Sequence, residues 1–289
     1  MSRASDRETG GSEGGPGCDD HRVETLLSRL DGIQCAETAA AVPLVSGTFP
    51  AGEHDRVWRA LRAEQPRTGL WPVLGWTADN AAEGTYQWCR EQQGPAWLAV
   101  LREVDPAERM ALIIRSKLEW TLSGGYLTEP QVAAWQEEDR AGFDPVRVAA
   151  AISPLAEIPP GVARHTRSYP PTSVLLVPAA AGHEVLALVP GLMAIMNNWM
   201  GGPSHPDLLD VDHVFVLRHW EKAWGAELYA PDFDGLELLV TRPPRDPLAA
   251  AICAIEQWSS CDDLEQILGD VHDVARRQAP AGHWSFWWD

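Results

Sequence analysis

Lysine is nearly missing from this 289-residue chain: of 23 basic residues only Lys117 and Lys222 are lysines. Against 41 acidic residues this leaves a formal net charge of −18. A surface this acidic repels phosphate backbones, so nucleic acid is not an expected partner. Cysteine is sparse as well. Cys18, Cys35, Cys89, Cys253 and Cys261 are odd in number, far apart, and form no Cys-x-x-Cys pair. Neither a disulfide framework nor a zinc-binding cysteine site is therefore expected. No apolar run approaches the roughly 18 residues of a membrane span. The first twenty residues also lack the apolar core of a secretory signal. The expectation is a cytoplasmic protein with no membrane partner. A nucleophile elbow, a phosphate-cradling glycine loop and a dinucleotide fingerprint are absent, so no cofactor is expected.

What the chain does have is tryptophan, 14 residues of it, within an apolar fraction of 45% that is ample for a core. Residues 1–20 read as a disordered tail, with little to bury against the entropy of ordering. Residues 21–157 read as a mainly helical subdomain. Val23, Leu26, Leu27 and Leu30 share one helical face ahead of Gly32. Val57, Trp58 and Leu61 mark a second helix, which Pro66 is expected to stop. Thr68 to Leu74 is a short apolar run suited to a buried strand. Asp105-Pro106 and Asp144-Pro145 each open a helix with a cap followed by proline. Lys117 lies within the stripe Met110, Ile113, Ile114, Thr121, as a stem covering apolar surface.

Residues 158–172, Pro-rich at both ends, read as a linker. Beyond them, residues 173–289 read as an α+β domain with a mixed sheet. Ser173–Val177 and Glu184–Val189 are expected to form a hairpin. Asp212–Trp224 is an amphipathic helix ended by Gly225. Ala226–Tyr229 and Leu236–Val240 are strands. Asp246-Pro247 opens a helix with Leu248, Ile252 and Ile255 inward. Asp262-Asp263-Leu264-Glu265 has capping-box spacing before one helix carrying Leu264 to Val274. His283 to Asp289 closes the chain as a last strand. The fold class expected is thus α+β, a mostly helical first half followed by a mixed-sheet domain.

The run Leu217-Arg218-His219-Trp220-Glu221-Lys222-Ala223-Trp224-Gly225-Ala226-Glu227 is followed by Leu236-Glu237-Leu238 and Arg242-Pro243-Pro244. Glu256, Cys261 and the terminal Trp284-Ser285-Phe286-Trp287-Trp288-Asp289 come after them in order. Together these resemble an uncharacterised bacterial family, domain of unknown function 4253, over about Ser173 to Asp289. Thr68 to Pro72 extends the likeness into the first half. Cys261-Asp262-Asp263 stands where the family carries Cys-Pro-Asp. Asn197-Asn198-Trp199 with Pro203 is an approximate counterpart of its Trp-Asn motif, which places Asn198 among the binding candidates. The resemblance implies a fold unit and no activity.

Two constellations carry chemistry. His205, Asp207, Asp210, Asp212 and His213 could ligate a metal, but acidic residues are equally favoured at the start of a helix, and the spacing fits no established motif. No metal is expected. Glu256, His213, Cys261 and Asp263 form a candidate catalytic set, with Glu256 at the edge of a buried face as general acid or base. The same residues are explained as caps and core. Trp287 and Trp288 are consecutive, so on a strand they point to opposite faces and one of them is a candidate contact residue, together with Asp289. The leading expectation is a non-enzymatic protein-interaction module with an acidic surface, taking a protein partner. The runner-up is a small-molecule hydrolase or transferase using Glu256 in a cleft between the two halves.

Overall fold

Seven strands fall into two sheets, in a computed structural model that describes residues 27–83, 94–122, 129–155, 170–193, 212–232, 235–261 and 263–288. The first sheet takes β1 (Asp31–Glu37), β2 (Pro43–Thr48), β3 (Leu70–Leu74) and β4 (Ser173–Pro178) in the order β1-β2-β4-β3. The second takes β5 (Ala226–Pro231), β6 (Gly235–Val240) and β7 (His283–Trp287) in sequence order. Every described strand pair is antiparallel, so the sheets are not of the mixed kind expected. The α+β class itself holds, with helices concentrated in the first half.

Three strands of the first sheet, β2, β3 and β4, are buried on both faces, as apolar runs require, while the edge strand β1 is exposed along most of its length. Val45, Leu70, Leu74, Val174 and Leu176 point to α1 (His54–Thr68), where Val57, Trp58 and Leu61 meet them. Leu44, Trp71, Val73, Leu175 and Val177 point into the main core. β4 lies between β2 and β3, Val45 facing Leu176 and Leu74 facing Val174, so its whole Val-Leu-Leu-Val run is sealed. Trp71 also ties the sheets together. Its Nε1 donates to the Leu228 carbonyl of β5 at 3.0 Å, and Trp76 Nε1 donates to that of Pro231 at 2.9 Å.

Helices fill the rest: α2 (Ala78–Glu83), α3 (Gly94–Arg102), α4 (Pro106–Leu122), α5 (Glu129–Gly142) and α6 (Pro145–Ile152) precede β4. Asp144 caps α6 by accepting from Val146 and Arg147 amides, and Asp105 accepts from Ala107 at the start of α4, as the Asp-Pro pairs predict. After β4 come α7 (Gly182–Leu188), α8 (Asp212–Trp224), α9 (Pro247–Ser260), α10 (Leu264–Leu268) and α11 (Val271–Arg277).

Several local expectations change. Residues 31–48 form β1 and β2, which the sequence pattern did not single out. Pro66 sits inside α1 rather than ending it; Gly69 ends it in the left-handed conformation. Glu184–Val189 is not the return strand of a hairpin but most of α7, whose Glu184 pairs with Arg102 and accepts from the Ala180 amide. The single helix expected from Leu264 to Val274 is two, broken at Gly269 (φ 97°) and restarted by Asp270, which caps α11 through the Asp273 amide. Cys35 is disulfide-bonded, against expectation, with its partner outside the described residues; Cys253 and Cys261 are free and buried. Trp58 and Trp220 are core residues and Trp224 is half-buried; the Trp135 side chain and residues 1–20 lie outside the described set. No described helix is long and apolar enough to cross a membrane.

Candidate functional site

α8 places its last turn by two devices. Gly225 ends it at φ 65°, a position where a Cβ would stand 2.2 Å from Thr241 Oγ1. Arg242 then donates from Nη2 to the Lys222 carbonyl in the last turn and to the Glu221 carbonyl, which also accepts from the Gly225 amide. α9 starts at Asp246, whose carboxylate accepts from the Ala249 amide, with Pro247 in the first turn. Its Ala250, Ala251, Cys253 and Ala254 are small and fully buried, so α6 and α11 come close on that side. Those contacts fix the helix's rotation. Ile255 is buried, but Leu248 and Ile252, expected inward, face solvent at 46% and 39% exposure.

α4 packs against both α8 and α9, and the Glu256 side chain spans between the latter two. One Glu256 oxygen sits 2.9 Å from His219 Nε2; the other accepts from Trp224 Nε1 at 2.9 Å. Neither oxygen goes to His213, Cys261 or Asp263. The thiol of Cys253, one turn earlier on α9, is pushed well above its usual range, first by burial and then by the negative charge of Glu256. Cys253 is therefore a neutral core thiol. Because the carboxylate is buried with two donors aimed at it, Glu256→Ala is expected to lower stability by about 3 kcal/mol, and Glu256→Gln by about half as much. Urea midpoints of the two variants check this.

The other sequence candidates lie elsewhere. His213 is buried in the first turn of α8, beside Asp212. Cys261 caps α9, and its thiol donates to the Trp287 carbonyl at 3.2 Å. Asp263 precedes α10 but makes no side-chain cap; its Oδ1 accepts from Gln266 Nε2 instead. Trp288 is buried, its ring 6.2 Å from Phe286 and close to parallel with it, while Trp287 is half-buried on the other side of β7. Asn198, Asp262 and Asp289 lie outside the described residues, as do His205, Asp207 and Asp210. Among the described residues no group of three or more His, Cys, Asp or Glu is arranged to hold a metal ion.

Reading the sequence for site residues overlooked His219 and Trp224. Both stand in the motif that carries the family resemblance, five residues apart near the end of α8. Trp224 closes an amphipathic helix, and nothing in the local sequence says that a carboxylate 32 positions later reaches it.

β7 is finished by side chains rather than by another strand. The Ser285 amide donates to Gln278 Oε1 at 3.2 Å, Gln278 Nε2 donates to Gln257 Oε1, and Gln257 Nε2 donates to Cys253 Sγ. Gln257, Gln278 and Cys253 are all buried, so the relay runs through the core from the sheet edge to α9.

No curated protein and no solved structure matches this chain. Residues 173–289, from β4 through β7, match the model of a family described as a domain of unknown function, DUF4253.

Proposed function

We propose that the protein is a non-enzymatic protein-interaction module, with the outward face of α9 as part of its contact surface. The observation behind this is the pair Leu248 and Ile252, large apolar side chains one helical turn apart and open to solvent on a helix otherwise packed into the core. The net charge of −18 favours a basic protein partner over nucleic acid or an anionic membrane. A cytoplasmic setting is part of the same reading. The buried thiols Cys253 and Cys261, which form no disulfide, agree with it, and the Cys35 disulfide counts against it.

The test is a double substitution, Leu248→Asp with Ile252→Asp. Both side chains are exposed, so the denaturation midpoint should change by no more than about 0.5 kcal/mol equivalent. Chemical cross-linking in the native cell should give a stoichiometric complex with the wild-type chain and lose it with the double variant. Equal yield of that complex from both chains would remove α9 from the interface, and no complex at all at low salt would remove the interaction reading.

One observation supports the runner-up, a small-molecule hydrolase or transferase. A buried carboxylate is bonded to an imidazole, the pairing used in general acid–base chemistry. Both oxygens of Glu256 are occupied, however, so in that reading the proton is handled by His219 and Glu256 positions it.

A further inference from the structure

We propose that His219 is the proton acceptor of a small-molecule site at the junction of α8 and α9, suited to a small acyl ester that carries an anionic group. This rests on the second reading above, the small-molecule hydrolase, and deepens it; with the interaction surface it shares only Ile252.

The argument begins with the carboxylate. Trp224 Nε1 holds one oxygen of Glu256, which prevents the group from rotating and leaves the other oxygen facing His219 Nε2 at 2.9 Å. A carboxylate fixed in this way holds the imidazole ring in one orientation and one tautomer, with the proton on Nε2 and the lone pair on Nδ1. That second nitrogen, Nδ1, bonds to no described residue and is not sealed from solvent; the side chain is 16% exposed. The environment on either side differs. Lys222 and Ala223 follow His219 by three and four residues on the same helical face, and both are exposed. Ile252, one turn before Glu256 on α9, supplies exposed apolar surface. Lys222 and the neighbouring Arg242 bring two positive charges to this end of α8, where the Glu256 carboxylate is already held by His219 and Trp224 and that of Glu221 by His183. In the proposed complex the apolar body of the ester rests on Ile252, its anionic end lies near Lys222, and its scissile carbonyl meets His219.

The step balances without a further reactant. Nδ1 accepts a proton from water as the water oxygen bonds to the carbonyl carbon. The carbon–oxygen bond to the leaving group then breaks, and the leaving oxygen takes the proton back from Nδ1. Glu256 stabilises the imidazolium in between.

The test uses the full chain with 4-nitrophenyl acetate and its anionic counterpart, mono-4-nitrophenyl succinate. Wild type should cleave both faster than free imidazole at the same histidine concentration, and prefer the succinate. His219→Gln keeps a donor for Glu256, so its denaturation midpoint should hold while the rate falls by about 100-fold or to background. Glu256→Gln should lower the rate and move its pH profile, which a purely structural carboxylate would not do. Lys222→Gln should erase the preference for the anionic ester. His272→Gln, at a partly exposed position of α11 paired only with Asp270, serves as the control and should leave the rate unchanged. An unaltered rate in folded His219→Gln, or equal losses in His219→Gln and His272→Gln, would overturn the assignment. Neither result touches Leu248 or Ile252, so the interaction reading is judged separately.

Discussion

Residues 173–289 expressed by themselves will not give a cooperatively folded protein, although they are the span that matches the family model. The reason lies at the first strand. β4 has both of its partners, β2 and β3, in the first half of the chain, and one of its faces packed against α1 there. Alone, it would expose two unpaired edges together with Val174, Leu175, Leu176 and Val177, all fully buried in the whole protein. Each is worth about 1.5–3 kcal/mol of burial, so their exposure alone is comparable to the roughly 5–15 kcal/mol that holds a typical domain together. The loss continues along the chain. Arg218 Nη1 would no longer reach the Leu101 and Val104 carbonyls, and the indole bonds from Trp71 and Trp76 to β5 would be gone. Thermal unfolding followed by near-ultraviolet circular dichroism should show no transition for the fragment and a sharp one for the whole chain. A sharp transition in the fragment would mean that β4 finds another partner or is dispensable.

Asp212→Ala should be the most damaging single charge deletion, at about 3–5 kcal/mol. Asp212 is fully buried at the start of α8, and Arg109 near the start of α4 grips it with two parallel bonds, Nε to Oδ1 at 2.8 Å and Nη2 to Oδ2. The guanidinium also lies 5.9 Å from the Phe215 ring centre. Removing the carboxylate takes both of these bonds from a largely buried cation. Replacing both partners with apolar residues of similar size, Arg109→Met with Asp212→Leu, should recover most of the loss. Urea unfolding of the two single variants and the double gives the coupling directly. Strict additivity would show that the pair is decorative. Asp212 was foreseen as a helix-start acid or metal ligand, and its partner 103 residues earlier was not foreseeable.

That contrast runs through the whole reading. Helix openings at Asp105, Asp144 and Asp246, and the stop at Gly225, were legible because capping is settled within a few residues. β5, β6 and β7 were legible from apolar runs between turn residues. α7 was not: Glu-Val-Leu-Ala-Leu-Val satisfies strand and helix alike over so short a length, and a bond from Arg102, 82 residues away, helps decide it. Leu248 and Ile252 were placed inward by ordinary amphipathic logic. The helix turned the other way because its alanine face packs more closely. Of the candidate site, Glu256 was recovered and its neighbourhood was not, since His219 and Trp224 approach it only through the tertiary packing of α8 and α9 on α4.

The relay from Ser285 through Gln278 and Gln257 to Cys253 has a consequence for how this protein meets others. A three-stranded sheet ending in His-Trp-Ser-Phe-Trp-Trp would ordinarily be a template for another chain's strand, and so a seed for aggregation. Here the Ser285 amide on the outer side of β7 is committed to Gln278, and the Trp287 carbonyl to the Cys261 thiol, from within the same molecule. An incoming strand would have to displace both, and displacing the first strands three buried polar groups behind it. The tryptophan-rich terminus is thereby closed to edge-on growth, and a partner has to dock on side chains rather than on backbone.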